Sequence, residues 1–301
     1  QGKSLRLYFY SSAFFLSLSM QNKTDQKDLM KQIEADCLVD NQEKIDYPPV
    51  ALSLGSKYIQ TKEGGQMLPI AIGTYGNFSF VQSPPKTKKT FFISLLSSVY
   101  LSGSNNFGGD IKGHRKSQCL LHIDTEQGKW HAQRVFKRAI DMSDLDGSQC
   151  YYTYALRQIG FKQRIDFIEY LLRDKIKNTG LIIIDGIADL VGDVNNLEES
   201  NACVQKLMEW SSIYECHIIT VIHSNYGSSK PTGHLGSFLE KKCETQIELE
   251  ANTVNKEWVT VKCKRSRGYA FETFSFKIND LGLPEIVGDL YDPLKENEKR
   301  Y

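Results

Sequence analysis

The sequence predicts an α/β domain whose mostly parallel sheet carries helices on both faces and ends in a C-terminal antiparallel hairpin extension. Two observations predict this fold. From residue 47 onward, short apolar runs alternate with longer amphipathic segments, which favours parallel strands joined by crossover helices. The run 181-LIIID-185 is apolar up to its last residue, which is typical of a strand buried on both faces.

The individual elements follow from periodicity. Strands are predicted at 77–81, 119–124, 151–156, 181–185 and 217–223, and helices at about 90–101, 131–142, 163–176 and 202–214. After residue 223 the helical pattern ends, and three strand-like runs at 244–250, 258–264 and 273–278 predict the antiparallel extension.

The chain of 301 residues is predicted to contain one large domain over 47–288, preceded by a polar arm (1–46) and followed by a charged tail (289–301). Residues 1–19 resemble a secretory signal, but Met20 opens a polar, start-like segment. We therefore interpret 1–19 as upstream or non-native sequence, with export as the alternative. The apolar run within it is too short to span a bilayer as a helix, so no membrane partner is expected.

The composition is that of an ordinary globular protein. A hydrophobic content of 41% and a net charge of +1 exclude the disordered and fibrous classes and give no global basic charge for nucleic acid. The seven cysteines are odd in number and form no C-x-x-C pair, which favours reduced thiols in a cytoplasmic protein over disulfides or a zinc site.

The stretch 83-SPPKTKKT-90 lies between a predicted strand and a predicted helix, which is the setting of a phosphate-binding loop. There, backbone N–H groups face phosphates, Lys89 contacts the terminal phosphates and the Thr90 hydroxyl binds magnesium. The residues of this predicted nucleotide site are Ser83, Pro84, Pro85, Lys86, Thr87, Lys88, Lys89, Thr90 and Phe91. A plain basic turn is the alternative.

The usual pattern G-x-x-x-x-G-K-[ST] has lost its two glycines, at Ser83 and Lys88. A positive φ at a residue other than glycine costs roughly 1–2 kcal/mol. Charge-assisted hydrogen bonds from the lysines at 86, 88 and 89 contribute about 1.5–3 kcal/mol each, which is enough to offset that cost.

Two carboxylates complete the predicted site. Asp185 follows four apolar residues at the tip of a buried strand, where it can bind the magnesium shell; a capping role is the alternative. Glu126, in 123-IDTEQGK-129, follows another strand and can orient an attacking water; an exposed loop glutamate is the alternative. Open α/β sheets bind ligands at the carboxyl ends of their strands, where both acids are expected.

Four segments together resemble RecA-like P-loop ATPases of the DnaB- and RepA-type hexameric helicase group, particularly phage and mobile-element versions. These segments are PPKTKKTFF, HIDTEQGKWHAQRVFKR, LIIIDGIADL and HIITVIHSNYGSSKPTGHLGSFLEKKCET, within residues 47–288. The resemblance implies ATP and Mg²⁺ as cofactors, Lys89 and Thr90 as phosphate and magnesium contacts, Asp185 as the magnesium-shell acid, and Glu126 as the base for water. It also implies that His223, or else Ser224, senses the γ-phosphate.

The same resemblance implies partners. The loop 225–237 would face a central channel and nucleic acid, with a flexible connector as the alternative. In the basic turn 262-KCKRSRG-268, Arg265 and Arg267, ahead of Lys264, would reach a neighbouring subunit's nucleotide, with a solvated turn as the alternative. Trp130 is expected to pack in the core, with stacking on an adenine as the alternative.

The function implied is an ATP-driven motor in DNA replication or mobilisation, acting on single-stranded DNA as a ring or filament, with a hexamer favoured. One alternative is an oligomeric scaffold that binds nucleotide without hydrolysing it. A recombinase or clock-type signalling ATPase is the other.

Overall fold

The computed structural model describes residues 23–43, 45–61, 64–103, 110–143, 150–225, 228 and 230–287. The chain divides into two units, with the boundary between Pro48 and Pro49. In the first unit, helix α1 spans Lys23–Cys37. The signal-like residues 1–19 and the predicted tail, 289–301, lie outside the described residues.

The second unit contains twelve described strands. They are β1 (Val50–Thr61), β2 (Gly64–Thr74), β3 (Phe78–Ser83), β4 (Ile111–Gly113), β5 (Cys119–Asp124), β6 (Tyr151–Ala155), β7 (Thr179–Asp185), β8 (His217–His223), β9 (Thr245–Ala251), β10 (Val259–Ser266), β11 (Phe274–Ile278) and β12 (Pro284–Val287). Nine of them form one sheet in the order β12-β11-β10-β9-β3-β8-β7-β5-β6. The other three form a separate antiparallel sheet in the order β2-β1-β4.

The large sheet is parallel from β9 through β6 and antiparallel from β9 through β12. This arrangement confirms the predicted mostly parallel sheet with a C-terminal antiparallel extension. Strand β7 is buried at all seven positions, as its apolar run predicts.

Helices of the second unit are α2 (Lys89–Ser102), α3 (Lys129–Ser143), α4 (Phe161–Tyr170), α5 (Leu197–Ile213) and α6 (Gly233–Lys242). A π-helical turn, Leu171–Lys175, extends α4, and a 3₁₀ turn, Ile187–Leu190, follows β7. Residues of α2 and α3 share one hydrophobic cluster with Ile183 of β7, whereas residues of α4, α5 and α6 share another with Ile184. Because successive strand residues point to opposite faces, helices cover both faces of the sheet, as predicted.

One prediction about the elements is wrong. The helical pattern was expected to end at residue 223, yet α6 follows β8. Two glycines mask its periodicity, because Gly233 and Gly236 are poor helix formers. The structure requires a glycine at both positions. A Cβ on Gly236 would lie 2.7 Å from Pro231, and Gly233 has a φ of +67°, which other residues rarely adopt.

Within the described ranges, no helix has the length and apolar content needed to cross a membrane. All seven cysteines are free thiols.

Candidate nucleotide-binding site

Four neighbouring strands end together at one edge of the large sheet. Ser83, the last residue of β3, pairs with His223, the last residue of β8. On the next strands, Asp185 of β7 pairs with Asp124 of β5. We call this edge the nucleotide edge. The predicted loop and both predicted carboxylates lie at it, because each follows or ends one of these strands.

The loop between β3 and α2 contains two residues in the left-handed region. Lys86 has a φ of 64° and Lys88 a φ of 56°. Ser83, which stands at the first glycine of the usual pattern, is the last residue of β3 and has no positive φ. The conformational cost expected from the lost glycines thus falls on Lys86 and Lys88.

Side chains of the loop make contacts that hold its shape. The Thr87 hydroxyl donates to the Pro84 carbonyl at 2.7 Å, and the Lys88 ammonium donates to the Glu257 carbonyl at 2.5 Å. Pro84, Pro85 and Lys86 are exposed, while the half-buried Phe91 packs its ring 3.8 Å from the guanidinium carbon of Arg138. The Lys88 ammonium therefore contacts the loop that joins β9 to β10.

The strain at Lys88 can be measured by comparing Lys88→Gly with Lys88→Ala. Both variants lose the ammonium contact with Glu257, but only glycine adopts a positive φ without steric cost. We expect Lys88→Gly to be more stable than Lys88→Ala by about 1 kcal/mol in urea denaturation. Equal stabilities would mean that the loop does not hold residue 88 in the left-handed region.

Lys89, His223 and Glu126 form a chain of contacts at the nucleotide edge. The Lys89 ammonium lies 2.8 Å from Nδ1 and 2.9 Å from Nε2 of His223. Nε2 of the same imidazole also lies 3.7 Å from Oε1 of Glu126. Burial, followed by the charge of Lys89, lowers the pKa of His223, so the neutral ring accepts a hydrogen bond from the ammonium. Burial also lowers the pKa of Lys89, and Glu126 and Asp185 oppose that shift.

Beside this chain lies a pair of buried carboxyl groups, Asp124 and Asp185. The pKa of Asp185 is raised to about 7, mainly by burial and also by the charges of Asp124 and Glu126, while the charge of Lys89 opposes the shift. Burial raises the pKa of Asp124 as well, although its Oδ1 accepts the backbone N–H groups of Glu126 and Gln127 at 3.1 and 2.8 Å. Among the described residues, Oδ2 of each aspartate has no hydrogen-bond partner, and a cation would satisfy both atoms.

A glycine sets the position of Glu126. Gly186 directly follows Asp185 with a φ of +99°, and a Cβ there would lie 2.3 Å from Thr125 Oγ1 and 2.9 Å from Glu126 Cγ. The Thr125 hydroxyl donates to the backbone carbonyls of Asp185 and Gly186 at 3.0 and 2.9 Å. These contacts join the end of β5 to the end of β7 and hold Glu126 beside His223.

The raised pKa of Asp185 predicts a pH dependence of stability. Between the unfolded-state pKa of about 3.9 and the folded-state value of about 7, the folded protein holds a proton that the unfolded chain releases. The free energy of unfolding in metal-free buffer should therefore fall as the pH rises through this window, by at most about 1.4 kcal/mol per pH unit from this group.

Asp185→Asn should make that slope shallower, and Asp166→Asn, at an exposed position of α4, should leave it unchanged. Urea denaturation at several pH values between 4 and 8 measures this. An identical slope in wild type and Asp185→Asn would contradict the assignment.

The arginines predicted to reach a neighbouring subunit's nucleotide lie toward the other ends of the strands, away from the nucleotide edge. Arg265 pairs with Gln246, which pairs with Phe80, three residues before the end of β3. Arg265 is exposed, with Nη2 3.9 Å from Glu240, and Arg267 donates to the Lys242 carbonyl at 2.7 Å. Lys264 contacts Glu248 at 3.0 Å. About 10 Å of strand thus separates Arg265 from the nucleotide edge of its own chain.

The structure also gives the positions of three other parts of the sequence that the predictions concern. Trp130 was expected in the core, but its side chain is 61% exposed, with Arg134 5.0 Å from its ring, so that prediction is wrong. The segment 225–237 includes the start of α6, and residues 226, 227 and 229 lie outside the described residues. Ser224 donates its backbone N–H to the Ser83 carbonyl at 3.0 Å, whereas His223 extends its side chain toward Lys89.

Sequence reasoning missed Asp124 and Gly186. Asp124 lies two residues before the predicted Glu126 and ends an apolar strand. The argument that selected Asp185, a carboxylate at the end of a buried strand, would therefore also have selected Asp124. Gly186 gave a weaker signal, because only the folded backbone reveals the approach of Thr125 and Glu126.

Comparisons with known proteins identify the family and the fold. The AAA domain family matches residues 74–229, just over half of the chain. The chain is similar in structure to the RadB recombinase, whose crystal structure it matches with a TM-score of 0.50 and 16% identity over 71% of this chain and 92% of that one. At that identity the likeness shows a shared RecA-like fold. No curated protein sequence matches the chain. By its family match, the chain belongs to the AAA domain family.

Proposed function

We propose that the chain binds Mg-ATP at residues 83–91 and hydrolyses it as a RecA-like motor acting on DNA. The observation that carries this proposal is the contact chain from Lys89 through His223 to Glu126, beside the buried Asp185. In this proposal these side chains are the phosphate-binding lysine, the carboxylate for water and the carboxylate for a metal ion, at the edge of the sheet where α/β folds bind nucleotides.

In this proposal the start of α2 and the loop amides bind the phosphates, and Lys89 donates to the terminal phosphates. Thr90 and Asp185 hold Mg²⁺, which when bound neutralises charge on the phosphate oxygens. Asp185 suits this role because it is buried, its Oδ2 has no partner in the described part of the chain, and its pKa is raised by burial. A cation would favour the ionised carboxylate.

Glu126 is the proposed general base. Its side chain is 41% exposed, so it can contact a water molecule, and Gly186 leaves room for its Cγ. His223 is the proposed γ-phosphate sensor. The imidazole touches both Lys89 and Glu126, so a phosphate that attracts the Lys89 ammonium would release the ring toward the base. The side chain of Ser224 lacks such a link in the described residues, which favours His223.

We further propose a homo-oligomer, with a hexameric ring or a filament as the form. Support comes from the exposed Arg265, which lies about three residues along the strands from the nucleotide edge of its own chain and would contact the nucleotide of a neighbouring subunit. Arg267 and Lys264 lie beside it. Single-stranded DNA is the proposed partner, contacted by the segment after β8, and the cytoplasm is the proposed location because ATP and free thiols are typical of that compartment. A helicase-like role in the replication or mobilisation of phage or mobile-element DNA is the favoured activity.

Strand exchange is the second candidate activity, because the RadB protein with which this chain shares its fold is named a recombinase. A nucleotide-dependent scaffold is the third, because the loop carries non-glycine residues at both of its positive-φ positions.

Light-scattering chromatography of the full chain tests the proposal, with and without a non-hydrolysable ATP analogue, Mg²⁺ and single-stranded DNA. We expect an oligomer that forms only with nucleotide and retains the DNA. Single-stranded RNA and duplex DNA serve as comparison ligands. Unwinding and strand-exchange assays then distinguish the first two candidates. A monomer under all conditions, with no retained DNA, would contradict the motor.

A further inference from the structure

A histidine that has no role in the proposed ATPase chemistry lies beneath the nucleotide edge. His122 is in β5, fully buried, and neither of its ring nitrogens has a hydrogen-bond partner among the described residues. An unpartnered buried polar group destabilises the folded protein and therefore calls for a ligand or another explanation.

The histidine lies next to the two unpartnered carboxylates. His122 and Asp124 are two residues apart on β5, so their side chains share one face of the sheet. Asp185 is the direct neighbour of Asp124 on β7. One ligand atom from each of the three residues lies within 4.8 Å of the other two, and all three residues are buried.

We propose that His122, Asp124 and Asp185 bind one divalent transition-metal ion, and that they do so without nucleotide. Each of the three residues has an atom with no partner among the described residues, and these atoms, an imidazole nitrogen and the two Oδ2 atoms, are of the types that bind metals in proteins. Two carboxylates buried side by side repel each other, and a divalent cation removes that repulsion.

The donor set indicates which ion. Mg²⁺ prefers oxygen ligands and retains several waters, whereas a mixed imidazole and carboxylate set suits Mn²⁺, Fe²⁺, Co²⁺ or Zn²⁺. Asp124 can ligate through Oδ2 while its Oδ1 keeps the two backbone N–H groups, so binding requires no rearrangement of the 124–127 turn. The site does not depend on the proposed ATPase activity, because every ligand comes from the protein.

Manganese binding to the metal-stripped full chain tests this inference in the absence of nucleotide. We expect calorimetry to give one Mn²⁺ per chain, bound at least tenfold more tightly than Mg²⁺. Pulsed electron paramagnetic resonance of the bound Mn²⁺ should show coupling to a directly ligated ¹⁴N nucleus. This signal reports an imidazole ligand whether or not the protein hydrolyses ATP.

His122→Leu should abolish the ¹⁴N coupling and weaken Mn²⁺ binding by roughly tenfold or more. It should still fold, because replacing an unpartnered polar group by an apolar one of similar size is neutral or stabilising. Asp124→Asn should weaken binding but keep the coupling. His131→Asn, at an exposed position of the adjacent helix α3, and His223→Asn should both keep the coupling.

Mn²⁺ bound without ¹⁴N coupling, coupling lost in His131→Asn or His223→Asn, or equal affinities for Mn²⁺ and Mg²⁺ would each overturn the proposal. An absence of nucleotide-free Mn²⁺ binding would also overturn it. If His122→Leu fails to fold, the wild-type coupling together with the two histidine controls still decides the assignment.

Discussion

Glu126→Gln is expected to lower the kcat of DNA-stimulated ATP hydrolysis by about 10²–10⁴-fold while leaving Mg-ATP binding close to wild type. Glutamine keeps the size of the side chain and its contact distance to His223, but an amide oxygen cannot accept the proton of the attacking water. Steady-state phosphate release measures turnover, and calorimetry measures binding.

Glu272→Gln, at an exposed carboxylate outside the nucleotide edge, is the matched control and should hydrolyse ATP at the wild-type rate. Turnover that persists in Glu126→Gln would assign the base to another group. Tight binding by wild type with no turnover, in the presence or absence of DNA, would favour the scaffold over the motor.

Lys89→Ala is expected to raise the Kd for Mg-ATP by roughly 10- to 150-fold, corresponding to the loss of one charge-assisted hydrogen bond of about 1.5–3 kcal/mol. Lys89 is the loop lysine whose ammonium lies inside the site, against His223. Its removal also leaves Glu126 and Asp185 without the positive charge that now lies near them, which adds to the repulsion between the acids. Isothermal titration calorimetry of each folded variant measures the change.

Lys86→Ala is the control for charge alone, because Lys86 is exposed in the same loop, and its Kd should change much less. If Lys86→Ala and Lys89→Ala weaken binding equally, the phosphates are held by the general positive charge of the loop. If Mg-ATP gives no heat with wild type and Lys89→Ala changes nothing, residues 83–91 form a basic turn and not a nucleotide site.

Periodicity predicted the parallel part of the sheet because its strands are short, apolar and separated by amphipathic helices. The same reasoning did not resolve β1 and β2 as individual strands. Most positions of β2 are exposed or half-buried, so its residues do not form a clear apolar run. Helix α6 was missed because packing against Pro231 requires a glycine, Gly236, in its first turn. Glycine has a low helix propensity, so the sequence of this segment did not predict a helix.

The order of the site residues along the chain could be predicted, because ligand-binding groups follow strands at one edge of an α/β sheet. The contacts that these residues make could not be predicted. Nothing in the sequence indicates that Lys88 turns to the Glu257 carbonyl or that Lys89 contacts His223, since the first two residues are 169 positions apart and the second two are 134 apart. His122 was not selected either, because its lack of partners is visible only after the chain has folded.

The side-by-side carboxylates of Asp124 and Asp185 have a practical consequence for work with this protein. Burial and the charges of Asp124 and Glu126 disfavour the ionised form of Asp185, and Lys89 opposes this effect, so a bound cation would stabilise the folded protein. By mass action, any ion that binds the folded chain alone raises its melting temperature with concentration. A thermal-shift screen of simple salts would therefore rank the ions that bind at this edge without requiring a catalytic assay.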